Sequence, residues 1–223
     1  MAIQFAQPYR FSEQQLACMA QAGIVPEHGT ALIDGVPYWA GAPYRFSRAA
    51  YYRLGELGIL RKRDRVERIE GEIIEMAPAG SSHSACVSRL NQFLTPLVRN
   101  GIVRSENPLV MPQDIDPEPD LAVVRAKPDH YEGAHPTAED ALLVVEVADS
   151  WRRYDIGQKA QWYAEAGIPE YWMVDLVRDK VIIHRDPVAG AYRDVRTYGR
   201  GEHWTSDALE GLRVPVDGVL KPQ

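Results

Sequence analysis

Leu142-Leu143-Val144-Val145-Glu146-Val147-Ala148 has the length and the β-branched apolar content of a buried strand, and one carboxylate interrupts it. An ionised carboxylate inside such a run is costly unless it is paired or holds a metal. The same interruption occurs upstream at Asp120, in Glu118-Pro119-Asp120-Leu121-Ala122-Val123-Val124. Strand alternation puts Val144, Glu146 and Ala148 on one face, and Asp120 opens its own strand. If the two strands are neighbours, both carboxylates reach one cation. Otherwise Glu146 pairs with a buried Arg or Lys, and Asp120 caps its strand after Pro119.

Downstream, Tyr154-Asp155-Ile156-Gly157-Gln158-Lys159 opens a helix expected over 155–166 and closed by Gly167. Ile156, Lys159 and Tyr163 share one helix face. Ile156 and Tyr163 are expected to pack on the sheet, so the Lys159 stem runs along the core side. Its ammonium then either orients an attacking water and shields developing negative charge, or snorkels to solvent. Asp155 reads first as the N-cap of this helix and second as a supporting group of a site. Two carboxylates and an ammonium are a minimal set for Mg²⁺-assisted hydrolysis of a phosphodiester.

The remaining elements mix without strict alternation. Ser81-Ser82-His83 opens a helix whose apolar face runs through Leu90, Leu94 and Leu97; Pro96 should kink or shorten it, and Gly101 should end it. Strands are expected over 102–111, 120–124, 142–148, 171–175, 181–184 and 192–198, with a long loop over 125–140. The tail is rich in Pro and Gly, with short extended pieces. This order predicts an α/β or α+β sandwich around one mixed sheet.

The first 76 residues repeat themselves. Tyr9-Arg10-Phe11-Ser12 returns as Tyr44-Arg45-Phe46-Ser47, and Leu32-Ile33-Asp34-Gly35 resembles Arg68-Ile69-Glu70-Gly71. Each copy reads as a Ser-capped helix, a loop, and a hairpin turning at Asp34-Gly35 or Glu70-Gly71. Two copies are too few for a solenoid. Residues 1–43 are therefore expected to be an appendage, a degenerate repeat of 44–76, and residues 44–223 the working domain. Tyr38 and Trp39 of the first copy are expected to pack in its core.

The 223 residues suffice for one sizeable core, and 25% charged residues suit a soluble globular protein. No apolar run approaches the roughly 20 residues that span a bilayer, and the N-terminus lacks the pattern of a secretion signal. Cys18 and Cys86 do not form a metal-spaced set and are expected to be reduced thiols in a cytoplasmic protein. The net charge of −6 argues against a protein that coats nucleic acid non-specifically, since that binding rests on Lys/Arg–phosphate contacts. It leaves a nuclease open: Arg61-Lys62-Arg63-Asp64-Arg65 offers a local basic patch, or a solvated loop. There is no nucleophile elbow, no Cys/His pair and no Walker-type phosphate loop.

Pro119-Asp120, the strand carrying Glu146, Tyr154-Asp155, Lys159, Tyr163-Ala164 and Gly167-Ile168-Pro169-Glu170-Tyr171-Trp172-Met173-Val174-Asp175 together resemble the Uma-type restriction-endonuclease family, within the PD-(D/E)XK nuclease superfamily. Val66-Glu67, Gly71-Glu72-Ile73, Met76-Ala77-Pro78 and His83 extend the resemblance, which covers about Tyr44 to Leu220. It implies a restriction-endonuclease-like core with a central mixed sheet flanked by helices, Mg²⁺ (or Mn²⁺), and nuclease chemistry with DNA as substrate. Asp120 and Glu146 would be metal ligands and Lys159 catalytic. Glu67 matches an acidic position of the family and would be a third metal-site residue, or else a hairpin surface charge. His83 would reach the site or a phosphate, or else cap or pack its helix. A homodimer is expected where two strands must be cut. The superfamily pattern places a lysine two residues after the second carboxylate, where this chain has Ala148; Lys159 fits a lysine displaced onto the next helix. Arg68 stands where the family has an apolar residue, and the sequence gives no reason for it. Two rivals differ in class: a catalytically silent nucleic-acid or protein binding module on a nuclease fold, and a metal-dependent hydrolase of a small phosphoester.

Overall fold

The computed structural model describes residues 7–76, 78–112, 114–149 and 153–220, with the side chains of 62 and 153–156 outside the description. The chain forms two compact units, one comprising residues up to 78 with 113–117, the other 79–112 with the chain from 118 onward.

In the first unit both copies of the repeat form as expected. Ser12 caps the helix Glu13–Gln21 in a capping box with Gln15, and Ser47 caps Arg48–Glu56. The hairpins Thr30–Ile33/Val36–Trp39 and Val66–Ile69/Glu72–Glu75 turn through Asp34-Gly35 (φ 48°, 78°) and Glu70-Gly71 (φ 50°, 77°). Two consecutive positive φ values make each a type I′ turn, in which the second place suits glycine. The copies also exchange edges. Gln7–Pro8, leading copy one, pairs with the hairpin of copy two; Ala42–Pro43, leading copy two, pairs with the hairpin of copy one. Tyr9 donates its N–H to Ile73 O and Tyr44 to Pro37 O, each at 2.8 Å. Phe11, Met19, Phe46 and Leu54 share one core. Packing thus joins the two copies, and residue 43 is a boundary of sequence repetition. Trp39, expected inside, is the last residue of its strand and is 48% exposed.

The second unit comprises, in chain order, α1 (Ser81–Leu94), β1 (Gly101–Arg104), β2 (Leu121–Arg125), β3 (Ala141–Ala148), α2 (Arg153–Glu165), β4 (Glu170–Asp175), β5 (Lys180–Val188), β6 (Ala191–Gly199), a hairpin of β7 (His203–Ser206) and β8 (Leu212–Pro215), and the short α3 (Val216–Val219). Six strands form one mixed sheet in the order β6-β5-β4-β3-β2-β1. β3 and β4 are parallel and joined through α2; the other neighbours are antiparallel. Leu143, Val145 and Val147 of β3 face a core built with Trp172, Val174, Cys86, Leu90 and Leu94. Helix α2 packs against β4, β5 and β6.

Three local expectations are corrected. Helix α1 stops at Leu94, before Pro96, and Leu97 is 44% exposed instead of continuing the apolar face. The strand expected over 102–111 ends at Arg104; beyond Pro108, Val110 makes an isolated bridge to Thr137. Helix α2 begins at Arg153, upstream of the expected cap Asp155, whose side chain lies outside the described residues.

Candidate functional site

Strand register sets Asp120 beside the strand of Glu146. β2 and β3 pair Val123 with Leu143, Ala122 with Val144 and Leu121 with Val145. Asp120 immediately precedes β2, one step beyond the Leu121–Val145 pair, which brings it to the strand that carries Glu146. Glu146 alternates with the core residues Val145 and Val147 and reaches α2, whereas Asp120 reaches α1 through His83. Both side chains are nearly enclosed, at 12% and 13% exposure.

Each carboxylate is held by identifiable donors. Asp120 Oδ2 accepts the backbone N–H of Val147 at 2.7 Å, which ties it to the strand carrying Glu146. Asp120 Oδ1 lies 3.0 Å from His83 Nε2 in the first turn of α1. The hydrogen bond to Asp120 raises the His83 pKa; burial opposes the rise, and the charges of Asp120, Asp149 and Glu146 add to it. Glu146 Oε1 accepts from Lys159 Nζ at 3.1 Å and from the Tyr163 hydroxyl at 2.6 Å. Lys159 and Tyr163 stand one turn apart on α2, so both lean onto the sheet from the same helix face. Lys159 is buried, which corrects the surface-snorkelling alternative.

The second unit therefore brings together Asp120, Glu146, Lys159 and His83. Glu67 lies on the strand Val66–Ile69 of the first unit and is buried, which corrects the reading of it as a surface charge. Two residues near the site were missed in the sequence. Tyr163 was expected only to pack, yet its hydroxyl reaches Glu146; its spacing of four from Lys159 was the available signal. Asp149 follows the Glu146 strand, and its Oδ2 occupies the space where a side chain on Gly80, the N-cap of α1, would begin (2.6 Å).

Among the described residues, no group of three or more His, Cys, Asp or Glu side chains is placed to hold a metal ion. The donor set nonetheless fits Mg²⁺, which keeps several waters and typically takes one or two carboxylates plus phosphate oxygens.

Comparison with known proteins bears on the family and the fold. A family model named Uma2 and described as "Putative restriction endonuclease" matches residues 49–217. The chain belongs to the Uma2 family. Among solved structures, a protein from Anabaena variabilis titled "putative nuclease belonging to DUF820" is similar in fold, with a TM-score of 0.59 at 16% identity over 74% of this chain and 94% of that one. No curated protein matches. The Uma2 match takes in His83, Asp120, Glu146 and Lys159 of the second unit and Glu67 of the first, and begins inside the second copy of the repeat. Among the described residues no helix is long and apolar enough to cross a membrane.

Proposed function

We propose that this chain is a metal-dependent endonuclease that hydrolyses phosphodiester bonds of DNA, with Asp120 and Glu146 as ligands of Mg²⁺ or Mn²⁺ and Lys159 as the catalytic ammonium. The observation that carries the proposal is the hold of Asp120 on the Glu146 strand, at Val147 N 2.7 Å away, with Lys159 Nζ 3.1 Å from Glu146. The family description supports the nuclease reading.

When bound, the metal would lower the pKa of its water and neutralise charge on the scissile phosphate. The protein's part is placement. The Val147 amide and His83 fix the rotation of Asp120 from two sides. Lys159 rises from a helix anchored on the sheet, so its ammonium stays beside Glu146, where it steers the water and shields developing negative charge. Ala148 carries no amine, and α2 supplies the lysine instead. A homodimer would present two such sites to the two strands of DNA, and the free thiols Cys18 and Cys86 suit a cytoplasmic setting.

The test is cleavage of supercoiled plasmid and single-stranded DNA with Mg²⁺ or Mn²⁺, wild type beside Asp120→Ala and Glu146→Ala. Metal-dependent cutting that both substitutions abolish in folded protein is the expected result. Undiminished cutting by either variant overturns the assignment. Metal binding without cutting of any nucleic acid favours the small-phosphoester reading; no metal binding favours the silent module. Glu67→Gln in the same metal titration tests whether Glu67 is a ligand.

A further inference from the structure

We propose that Tyr163 is a positioning residue for Glu146, setting the rotation of the carboxylate that binds the metal; this rests on the nuclease reading above. The torsion at the end of a glutamate side chain is broad and soft, so an unsupported carboxylate samples many orientations. Here two donors converge on one oxygen. Lys159 Nζ and the Tyr163 hydroxyl both reach Oε1, at 3.1 Å and 2.6 Å. Two donors on the same atom fix the position of that oxygen, and with it the rotation of the carboxylate.

The phenol is itself held rigidly. Its residue is fully buried, and its ring lies 5.2 Å from that of Tyr171 on β4. Tyr171 in turn rests on His184 at 5.0 Å and stacks near Tyr192 at 6.4 Å. Tyr192 donates its hydroxyl to Ile168 O, and Ile168 N–H donates back to Tyr163 O, both at 2.9 Å. The hydroxyl is thus placed by the sheet through four aromatic rings, and it needs no charge to act. Lys159 cannot replace it: an ammonium on a long stem fixes distance but not direction. Partners of metal-binding carboxylates typically account for 10- to 100-fold in metal affinity when removed.

The experiment compares Mn²⁺ binding by calorimetry in wild type, Tyr163→Phe, Lys159→Met and the double variant, with plasmid cleavage followed across Mn²⁺ concentrations. Phenylalanine keeps the ring packing and deletes only the hydroxyl. Mn²⁺ affinity in Tyr163→Phe is expected to fall at least about 10-fold, with cleavage largely restored at saturating Mn²⁺ and the melting temperature nearly unchanged. The double variant is expected to lose less than the product of the single losses, because both donors act on one oxygen. Unchanged Mn²⁺ affinity in Tyr163→Phe, while Glu146→Ala abolishes binding, overturns the role of Tyr163 and leaves the nuclease reading intact. Binding that Glu146→Ala does not alter overturns both. If Tyr163→Phe fails to fold, 4-fluorophenylalanine at position 163, which fills the place of the hydroxyl without donating, is used instead, and unchanged Mn²⁺ affinity there overturns the proposal.

Discussion

Arg68 and Asp116 form an ion pair with neither side chain exposed to solvent: Nη2 lies 2.7 Å from Oδ2, and Nε donates to the same oxygen at 2.8 Å. Asp114 adds a second carboxylate to Arg68 at 2.7 Å, and Arg48 Nε holds the other oxygen of Asp116 at 2.7 Å. Arg68 also donates to the Phe46 carbonyl at 3.3 Å, within the second copy of the repeat. This explains a buried arginine for which the sequence gives no reason: its partners lie 46 and 48 residues away, and the strand pair Arg68–Asp116 joins Val66–Ile69 to Ile115–Asp116. Breaking a buried pair leaves a charge uncompensated and typically costs about 3–5 kcal/mol. Arg68→Met is therefore expected to lose about 3 kcal/mol in urea unfolding, and Arg68→Met with Asp116→Val to recover much of it. A loss in the double variant equal to the sum of the Arg68→Met and Asp116→Val losses would show that the two residues are not coupled.

Lys159→Met tests the ammonium directly. Methionine keeps most of the buried stem and removes only the charge, so the packing of α2 survives. Removing one electrostatic stabiliser of a transition state costs about 100- to 1,000-fold in turnover. Single-turnover cleavage at saturating Mn²⁺ is expected to fall by about that much, with near-wild-type far-ultraviolet dichroism. Cleavage within a few-fold of wild type would remove Lys159 from the chemistry and leave it as the charge partner of Glu146.

The site was legible where a single residue broke a strong pattern. Asp120 and Glu146 interrupt runs that are otherwise apolar, and the lysine lies on the next helix at a readable phase. The type I′ turns were legible because Asp-Gly and Glu-Gly between short apolar runs have few alternatives. What escaped depended on partners far away in sequence. Glu170 begins β4 as a buried carboxylate that accepts from Trp172 Nε1 at 2.6 Å, Ser206 Oγ at 3.2 Å and Ala208 N at 3.0 Å, and two of these come from the C-terminal hairpin region. The reach of β5 through Arg185-Asp186-Pro187 escaped as well. Proline usually breaks a central strand, but Pro187 sits beside the Ala189-Gly190 turn (φ 51°, 80°), where the ladder is ending. Tyr163 was read as packing because its ring does pack; only the position of Glu146 gives its hydroxyl a second use.

The two cysteines are expected to react very differently. Cys18 is exposed, whereas Cys86 is fully buried under α3 with Sγ donating to Val219 O at 3.4 Å. Burial pushes the Cys86 thiol up to about 11, so its thiolate, the reactive form, is scarce at neutral pH. Titration of native protein with a thiol reagent should modify one equivalent quickly, and denaturant should release the second. Mass spectrometry of the native product is expected to place the label on Cys18. Rapid labelling of Cys86 would mean that α3 opens readily from the sheet core.

His184 should make the fold acid-sensitive. It lies on β5 between the rings of Tyr171 and Tyr192, at 5.0 Å and 5.5 Å, and its Nε2 has no hydrogen-bond partner among the described residues. Burial lowers its pKa from 6.5 to about 4. The folded state therefore holds the imidazole neutral, while the unfolded chain takes up a proton below about pH 6.5. This contribution to stability is complete above pH 6.5 and declines as pH falls towards 4. Between pH 7 and pH 5 it amounts to about 2 kcal/mol, one pKa unit being worth about 1.4 kcal/mol. In His184→Phe, which keeps a ring in the cluster, urea midpoints at pH 7 and pH 5 should lie closer together than in wild type by that amount. An identical pH dependence in the two proteins would show that the ring is hydrated enough to protonate in place, and would move the acid sensitivity to other groups.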